Sequence, residues 1–462
     1  MPIRQRKSTF VAAVLSAALF LVAIALSEHF RIPSAQSPSQ VEYSLTVMIV
    51  VALIFMFVCL TFSQFVFNSQ SKNLTSVITV IVLAVIGATV FLEPVQRPIF
   101  VSYGDFETLI GVVKGINPRT VWALGSSIIS SIYLLVNSFV SQISVIKFLS
   151  VLSSLFVLGS TLFTINISKG RFSFLLPIIC PMWIGFCFGY DEYNTFMAPL
   201  SLFIALWMFH GKQPEKVFVT SIIAGLLPAL YIGFAPISFF VLLKLLIPRK
   251  NSRDFLTAIS ICLVSFFGAI EFSWPAGHLD YLHNLPNDML LGSVGGFEGK
   301  AFSEKSAFLN LASIFSLEHW SGIAYMIVFG GGLVVAIFTV ILLFGPALFI
   351  PRVRSSVLPA ISIGWIQLLF LAWNLFYLVA VMAKLGPTGD VDMFYSTYIS
   401  VSVFVGLVID RIIESRGGLP AFKRGLLWLV AAANGPLIAG LVIFGVQRAC
   451  DSYSMARGWC GS

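Results

Sequence analysis

The chain has 462 residues, of which 58% are hydrophobic and only 10% charged, with a net charge of +8 and a mean hydropathy of +0.95. That balance excludes a soluble globular domain, since apolar runs of about 18 or more residues read as membrane spans. It also removes nucleic acid as the meaning of the positive charge. Only helices and closed barrels satisfy their backbone groups in lipid. A barrel would show alternating segments of about 10 residues, whereas these runs are continuously apolar. The expected class is all-α: one polytopic transmembrane domain over residues 1–462.

In chain order, MPIRQRK precedes an apolar run. Ala25 and Ser27 give it a signal-peptide-like cleavage pattern, but the run is long for that and is expected to be an uncleaved first span, 9–27. Further spans are expected at 44–67 and 76–92. A long polar-to-amphipathic segment follows at 93–142, whose Ser-rich second half, 121–140, suits the membrane surface. Spans are then expected at 143–167, 172–189, 194–209, 216–231, 234–248, 255–272, 321–349, 356–382, 393–410 and 425–446, making about 13. The pair within 216–248 must turn at Gly233–Pro236 and stands as two short spans or one. The other long loop is 273–320.

Lys and Arg set the orientation. With the N-terminus cytoplasmic, most basic residues fall in short cytoplasmic loops. Of the 20 acids, only Glu215, Asp254, Asp410 and Glu414 fall on that side. Both long loops and the C-terminal tail then lie outside. Cys450 and Cys460 flank that tail and could pair there. Cys59, Cys180, Cys187 and Cys262 sit in apolar runs, where Cys acts as a small hydrophobe.

The stretch richest in chemistry is VSYGDFETLIGVVKGINPRT, residues 101–120. Asp105 and Glu107 sit two apart, with Lys114 and Arg119 close behind. A carboxylate here can act as general base on an acceptor hydroxyl. Lys114, Arg119 or Arg97 can hold a phosphate leaving group. The acid pair could also hold a divalent metal, Mg or Mn. The bland reading is a solvated loop whose charges keep it out of the bilayer.

Three other groups face the same side. Asp191 and Glu192 occupy a very short turn, where two acids need water or a polar cavity. Asp390 and Asp392 follow the Gly386, Pro387 and Gly389 turn; Lys384 could reach a phosphate there and Tyr395 could stack on a sugar. In the 273–320 loop, Trp274, His278, Asp280, Tyr281 and His283 cluster, either to bind substrate or to cap a cavity. Snorkelling accounts for Lys147 and Lys244, and Glu271 reads as a residue at the water edge.

This order of parts resembles the GT-C class of integral-membrane glycosyltransferases. YGDFETLIGVVKGINPRTVWALGSSIISSIYLL resembles the acidic first outer loop and surface helix of that class. The run from Lys147 through Lys212 resembles its next spans, and the likeness covers about 76–250. It implies a polyprenyl-phosphate sugar donor and inverting transfer outside the membrane to a glycan, lipid or protein acceptor. It also implies Asp105 in catalysis, with Glu107 assisting or binding metal, in the envelope polysaccharide chemistry of a bacterial inner membrane. Two departures stand: two spans precede the expected first one, and no large soluble C-terminal domain follows. Two rival classes stay open, a lipid-linked polysaccharide polymerase or ligase and a lipid-linked glycan transporter or flippase. A transporter predicts charges or broken helices at mid-membrane depth.

Overall fold

The computed structural model describes residues 111–114, 122–139, 145–168, 170–180, 182–183, 186, 194–211, 216–247, 252–274, 277–291, 314–332, 335–337, 339, 364–380 and 394–415. Of these, 93% are helical and none forms a strand, so the described chain is all-α. The expected spans 9–27, 44–67, 76–92 and 425–446 lie outside the described residues.

The helices are α1 Ala123–Phe139, α2 Val145–Ser168, α3 Phe172–Ile178, α4 Asn194–His210, α5 Val217–Leu230, α6 Ala235–Leu246, α7 Ser252–Ser273, α8 Gly277–Leu291, α9 Leu317–Met326, α10 Trp365–Ala380 and α11 Tyr395–Ser415. A 3-10 turn, Ile232–Phe234, joins α5 to α6, and a π-helical turn, Ile327–Gly331, continues α9. The 216–248 stretch is therefore two helices with a turn near Gly233.

Among the described residues, two helices are long and apolar enough to cross a membrane, and their settings are opposite. In α11 the apolar window Tyr395–Glu414 is 83% buried, whereas in α7, Ser252–Ser273, only 11% is buried. The central helix is α11, packed on α3, α4 and α10. Its buried polar groups are bonded within the bundle: Thr397 Oγ1 donates to Asn374 O at 3.0 Å and Ser402 Oγ to Tyr398 O at 2.6 Å. The edge helix is α7, which packs chiefly on α5. Gly225 lets the two backbones approach at Cys262, where a Cβ would overlap the Cys262 carbonyl. Leu256, Val264 and Phe272 of α7 point outward and exposed. Water makes such a face unfavourable by about 25 cal/mol per Å²; hydrocarbon accepts it.

The same inversion marks α1. Gly125, Ser126 and Ser130 face the bundle while Leu134, Leu135 and Phe139 face out. Small residues inside and large apolar ones outside are what helix packing in lipid favours.

Three expectations change on contact with the structure. The stretch 273–320 is not simply a loop, because α8 runs through it. Tyr281 and Leu285 sit four apart, one helical turn, and pack with Phe266 and Trp274. The 172–189 span begins as α3, which stops at Ile178 with Pro177 inside it, although Met182, Trp183 and Phe186 are also helical. Lys244 does not snorkel. Its side chain is 7% exposed and donates to Trp207 O, Met208 O and Gly211 O at 2.6, 3.0 and 3.0 Å.

Those bonds belong to a clasp at one end of the bundle. A helix ends with carbonyls lacking partners and a partial negative charge. For α4, Lys244 supplies the cation, and Gln367 Nε2 donates to Met208 O and Phe209 O at 3.0 and 3.2 Å. A helix start has the opposite need. Asp410, 5% exposed, accepts from Phe172 N at 2.7 Å, Ser173 N at 3.0 Å and Ser173 Oγ at 2.7 Å. One turn earlier on α11, Gly406 makes that approach possible, since a Cβ there would meet the Phe172 carbonyl.

Candidate functional site

The opposite end of the bundle is where α7 turns into α8. α7 stops at Ser273, and Pro275, two residues on, disfavours helix at Trp274. Gly277, at φ +81°, opens α8 in a conformation that suits glycine. Its N–H donates to Trp274 O at 3.0 Å, closing a tight corner.

Glu271, on the last turn of α7, reaches across this corner. Its Oε2 accepts from His278 N at 3.1 Å and lies 2.7 Å from His278 Nδ1. A carboxylate can only accept, so Nδ1 carries the proton in this pair and Nε2 is the outward ring nitrogen. Asp280 does the same for the indole: its Oδ2 accepts from Trp274 Nε1 at 2.8 Å, while Asn284 Nδ2 donates to the Asp280 carbonyl at 3.1 Å. The Glu271 and His278 side chains are 59% and 45% exposed. The pair is therefore open to solvent, while the Trp274 indole is held by Asp280 and packs against Tyr281.

α1 closes onto this corner. Ser127 Oγ donates to Ser273 O at 2.9 Å, and Ala123 shares a small buried cluster with Ala229, Ile270 and Tyr281. The helix that follows the acid-bearing first loop thus meets the helix of the second long loop. The first loop is also pinned to the main core, where Val112 and Val113 are buried at 2% and 0% exposure. His319 Nε2 lies 2.9 Å from Val379 O, joining the start of α9 to the end of α10.

Of the residues singled out from sequence, Lys114 is exposed on a short helical turn beside Val113. His278 and Asp280 come together as described. Tyr395 is 2% exposed with its ring edge-on to Phe186, centroids 6.4 Å apart, so its face is covered. Asp105, Glu107, Arg119, Asp191, Glu192, Lys384, Asp390 and Asp392 lie outside the described residues, and the metal reading of Asp105 and Glu107 lies there with them. Among the described residues no group of three His, Cys, Asp or Glu side chains is placed to hold a metal. The residue that sequence reading undervalued is Glu271. Its signal was its seven-residue spacing from His278 across a Trp-Pro-Ala-Gly turn.

Among the described residues, the three helices at this corner carry acids there and no Lys or Arg: α1 and α8 contain none, and the only one on α7 is Arg253, at the far end of that helix. No family model, no curated protein and no solved structure matches the chain.

Proposed function

We propose that the chain is a membrane glycosyltransferase of the GT-C kind, moving a sugar from a polyprenyl-phosphate donor to a glycan, lipid or protein acceptor. The observation that carries this reading is the meeting of α1 with the α7–α8 corner. It brings the sequel of the Asp105 loop and the Glu271, His278 and Asp280 groups to one end of the bundle. Asp105 and Glu107 precede the buried Val112 by seven and five residues. At about 3.5 Å per extended residue, the tether keeps both within roughly 25 Å of that anchor.

In this reading that end faces outside and the Asp410–Lys244 clasp faces the cytoplasm, in a chain of about thirteen spans. The acceptor oxygen attacks the anomeric carbon from the face opposite the phosphate. Asp105 takes the hydroxyl proton as the new bond forms. The bond from carbon to phosphate oxygen breaks, and the electrons leave with the lipid phosphate. Lys114 and Arg119 stabilise that charge.

The test is the surface glycan of cells lacking the native copy, read by mass. Wild-type chain restores a sugar, and Asp105→Asn, accumulating equally, leaves it absent. Full restoration by Asp105→Asn overturns the base assignment and moves the polymerase, ligase and transporter readings ahead. The transporter reading has one observation of its own: α3 stops early and the π-helical turn lies against Tyr398. Against it, Cys180 Sγ there is 3.0 Å from Ser402 Oγ and 3.2 Å from Gly331 O, a polar cluster bonded to itself.

A further inference from the structure

We infer that α8 lies in the surface of the lipid bilayer, with Leu279 and Leu282 set among the acyl chains next to Phe272. The inference rests on the membrane part of the reading above, with α7 as a span, and not on its chemistry.

The corner after α7 decides where α8 can go. α8 does not run on from the end of α7 but folds back beside it. The Tyr281 ring lies 6.2 Å from Phe266 and 5.9 Å from Trp274, and the His278 ring lies 5.9 Å from Phe267. Phe266 is seven residues before Ser273, about 10 Å along a helix that rises 1.5 Å per residue. α8 is thus held level with the last two turns of α7. An amphipathic helix lying in a leaflet sits at such a depth, about 5–10 Å into the boundary of headgroups and acyl chains.

α8 has three sides, because successive residues are about 100° apart. Tyr281 and Leu285 pack with Ala123 of α1 and with Phe266 and Ile270 of α7. Asp280 and Asn284, four apart, share a polar side, where Asp280 holds the Trp274 indole. Leu279 and Leu282 lie on the third side, about 160° and 100° round from Tyr281. They are 74% and 41% exposed, so nothing in the bundle covers them.

Continuity and side-chain size make lipid the occupant of that side. Phe272, 85% exposed, ends the outward face of α7. At 22 residues α7 is about 33 Å long, enough for a hydrocarbon core of about 30 Å, and only 11% of its apolar window is buried. Where helices of this bundle meet closely they do so at small residues, Gly225 against α7 and Gly406 against α3. Phe272, Leu279 and Leu282 are large, which suits acyl chains better than a second helix. Charge decides which part of the lipid they meet. α8 has Asp280 and Asp288 and no Lys or Arg, so anionic headgroups do not hold it.

The full chain in phosphatidylcholine nanodiscs tests this with two phospholipids that carry a photoactivated diazirine, one near the headgroup end of the acyl chain and one at its tip. Adducts are located by mass spectrometry. The shallow probe is expected to label Leu279 and Leu282 at least threefold more than Asn284, and the deep probe to label Val264, midway along α7. Replacing half of the lipid by phosphatidylglycerol should leave the pattern unchanged.

Labelling of Val264 with none on Leu279 or Leu282 overturns the inference, since α7 then spans while α8 stands in water or under another protein segment. So does labelling of the two leucines that needs phosphatidylglycerol. Absence of label from Val264 as well overturns α7 as a span, and the membrane reading fails with it.

Discussion

The two ends of the bundle hold similar side chains and use them in opposite ways. At one end a carboxylate, Asp410, and an ammonium, Lys244, are buried, and each is committed to the end of another helix. At the other, Glu271 and Asp280 hold an imidazole and an indole and still present unshared oxygens to solvent. A polar group whose bonds are spent inside the bundle stabilises the fold and has nothing left for a ligand. A group that orients another side chain and keeps free lone pairs has that capacity. The difference separates an end whose buried charges hold helices together from an end whose carboxylates stay exposed, without any appeal to orientation in a membrane.

The largest effects should come from breaking the end with the buried charges. Asp410→Ala leaves Phe172 N, Ser173 N and Ser173 Oγ without their acceptor inside the bundle, a loss of about 3 kcal/mol. Unfolding of the purified protein in mixed detergent micelles, followed by circular dichroism, should show it. Asp410→Asn keeps an acceptor oxygen and should cost less. Gly406→Leu should match Asp410→Ala, because its side chain pushes the start of α3 out of reach of the carboxylate. If Gly406→Leu is tolerated and Asp410→Ala is not, the cap does not depend on close approach.

Lys244→Met comes next. It keeps the apolar stem and removes the donors to three carbonyls, and Gln367 still serves two residues of that turn. A loss of about 2 kcal/mol is expected by the same unfolding measurement. The Trp207 ring, 4.4 Å from Lys244 Nζ, loses its cation as well. Lys244→Met together with Gln367→Leu should cost more than the sum, since the Met208 carbonyl, the one they share, would then have no donor from either helix.

How far these features were legible in the sequence follows from where their partners lie. α2, α4, α7 and α11 were readable because continuous apolar runs carry their own signal. The turn between α5 and α6 was readable from Gly233 and Pro236. The clasp was not. Asp410 and Phe172 are 238 residues apart, and Lys244 and Trp207 are 37 apart on different helices. Local reading therefore gave Lys244 the usual account of a lysine near a span end. α8 was hidden for another reason: its charges and histidines drew the eye from the one-turn spacing of Tyr281 and Leu285. Sequence did point to His278 and Asp280. It could not show that a carboxylate on the preceding helix turns back to hold the imidazole.

The smallest stability effect should come from the end with the exposed carboxylates. Glu271→Gln and His278→Gln change an exposed pair, and exposed pairs contribute little to folding. Both variants should unfold at the wild-type detergent fraction. Glu271→Gln is the sharper of the two: both bonds from His278 go to the single oxygen Oε2, so an amide oxygen can keep them but without the carboxylate charge that draws the proton to Nδ1. Stability stays while the surface sugar falls, and His283→Gln, an exposed neighbour, should lower neither. If Glu271→Gln instead unfolds the chain as Asp410→Asn does, the α7–α8 corner is a second structural clasp and the contrast between the ends disappears. If it changes neither stability nor glycan, the pair is only a surface contact, and the chemistry of this end lies with the Asp105 loop alone.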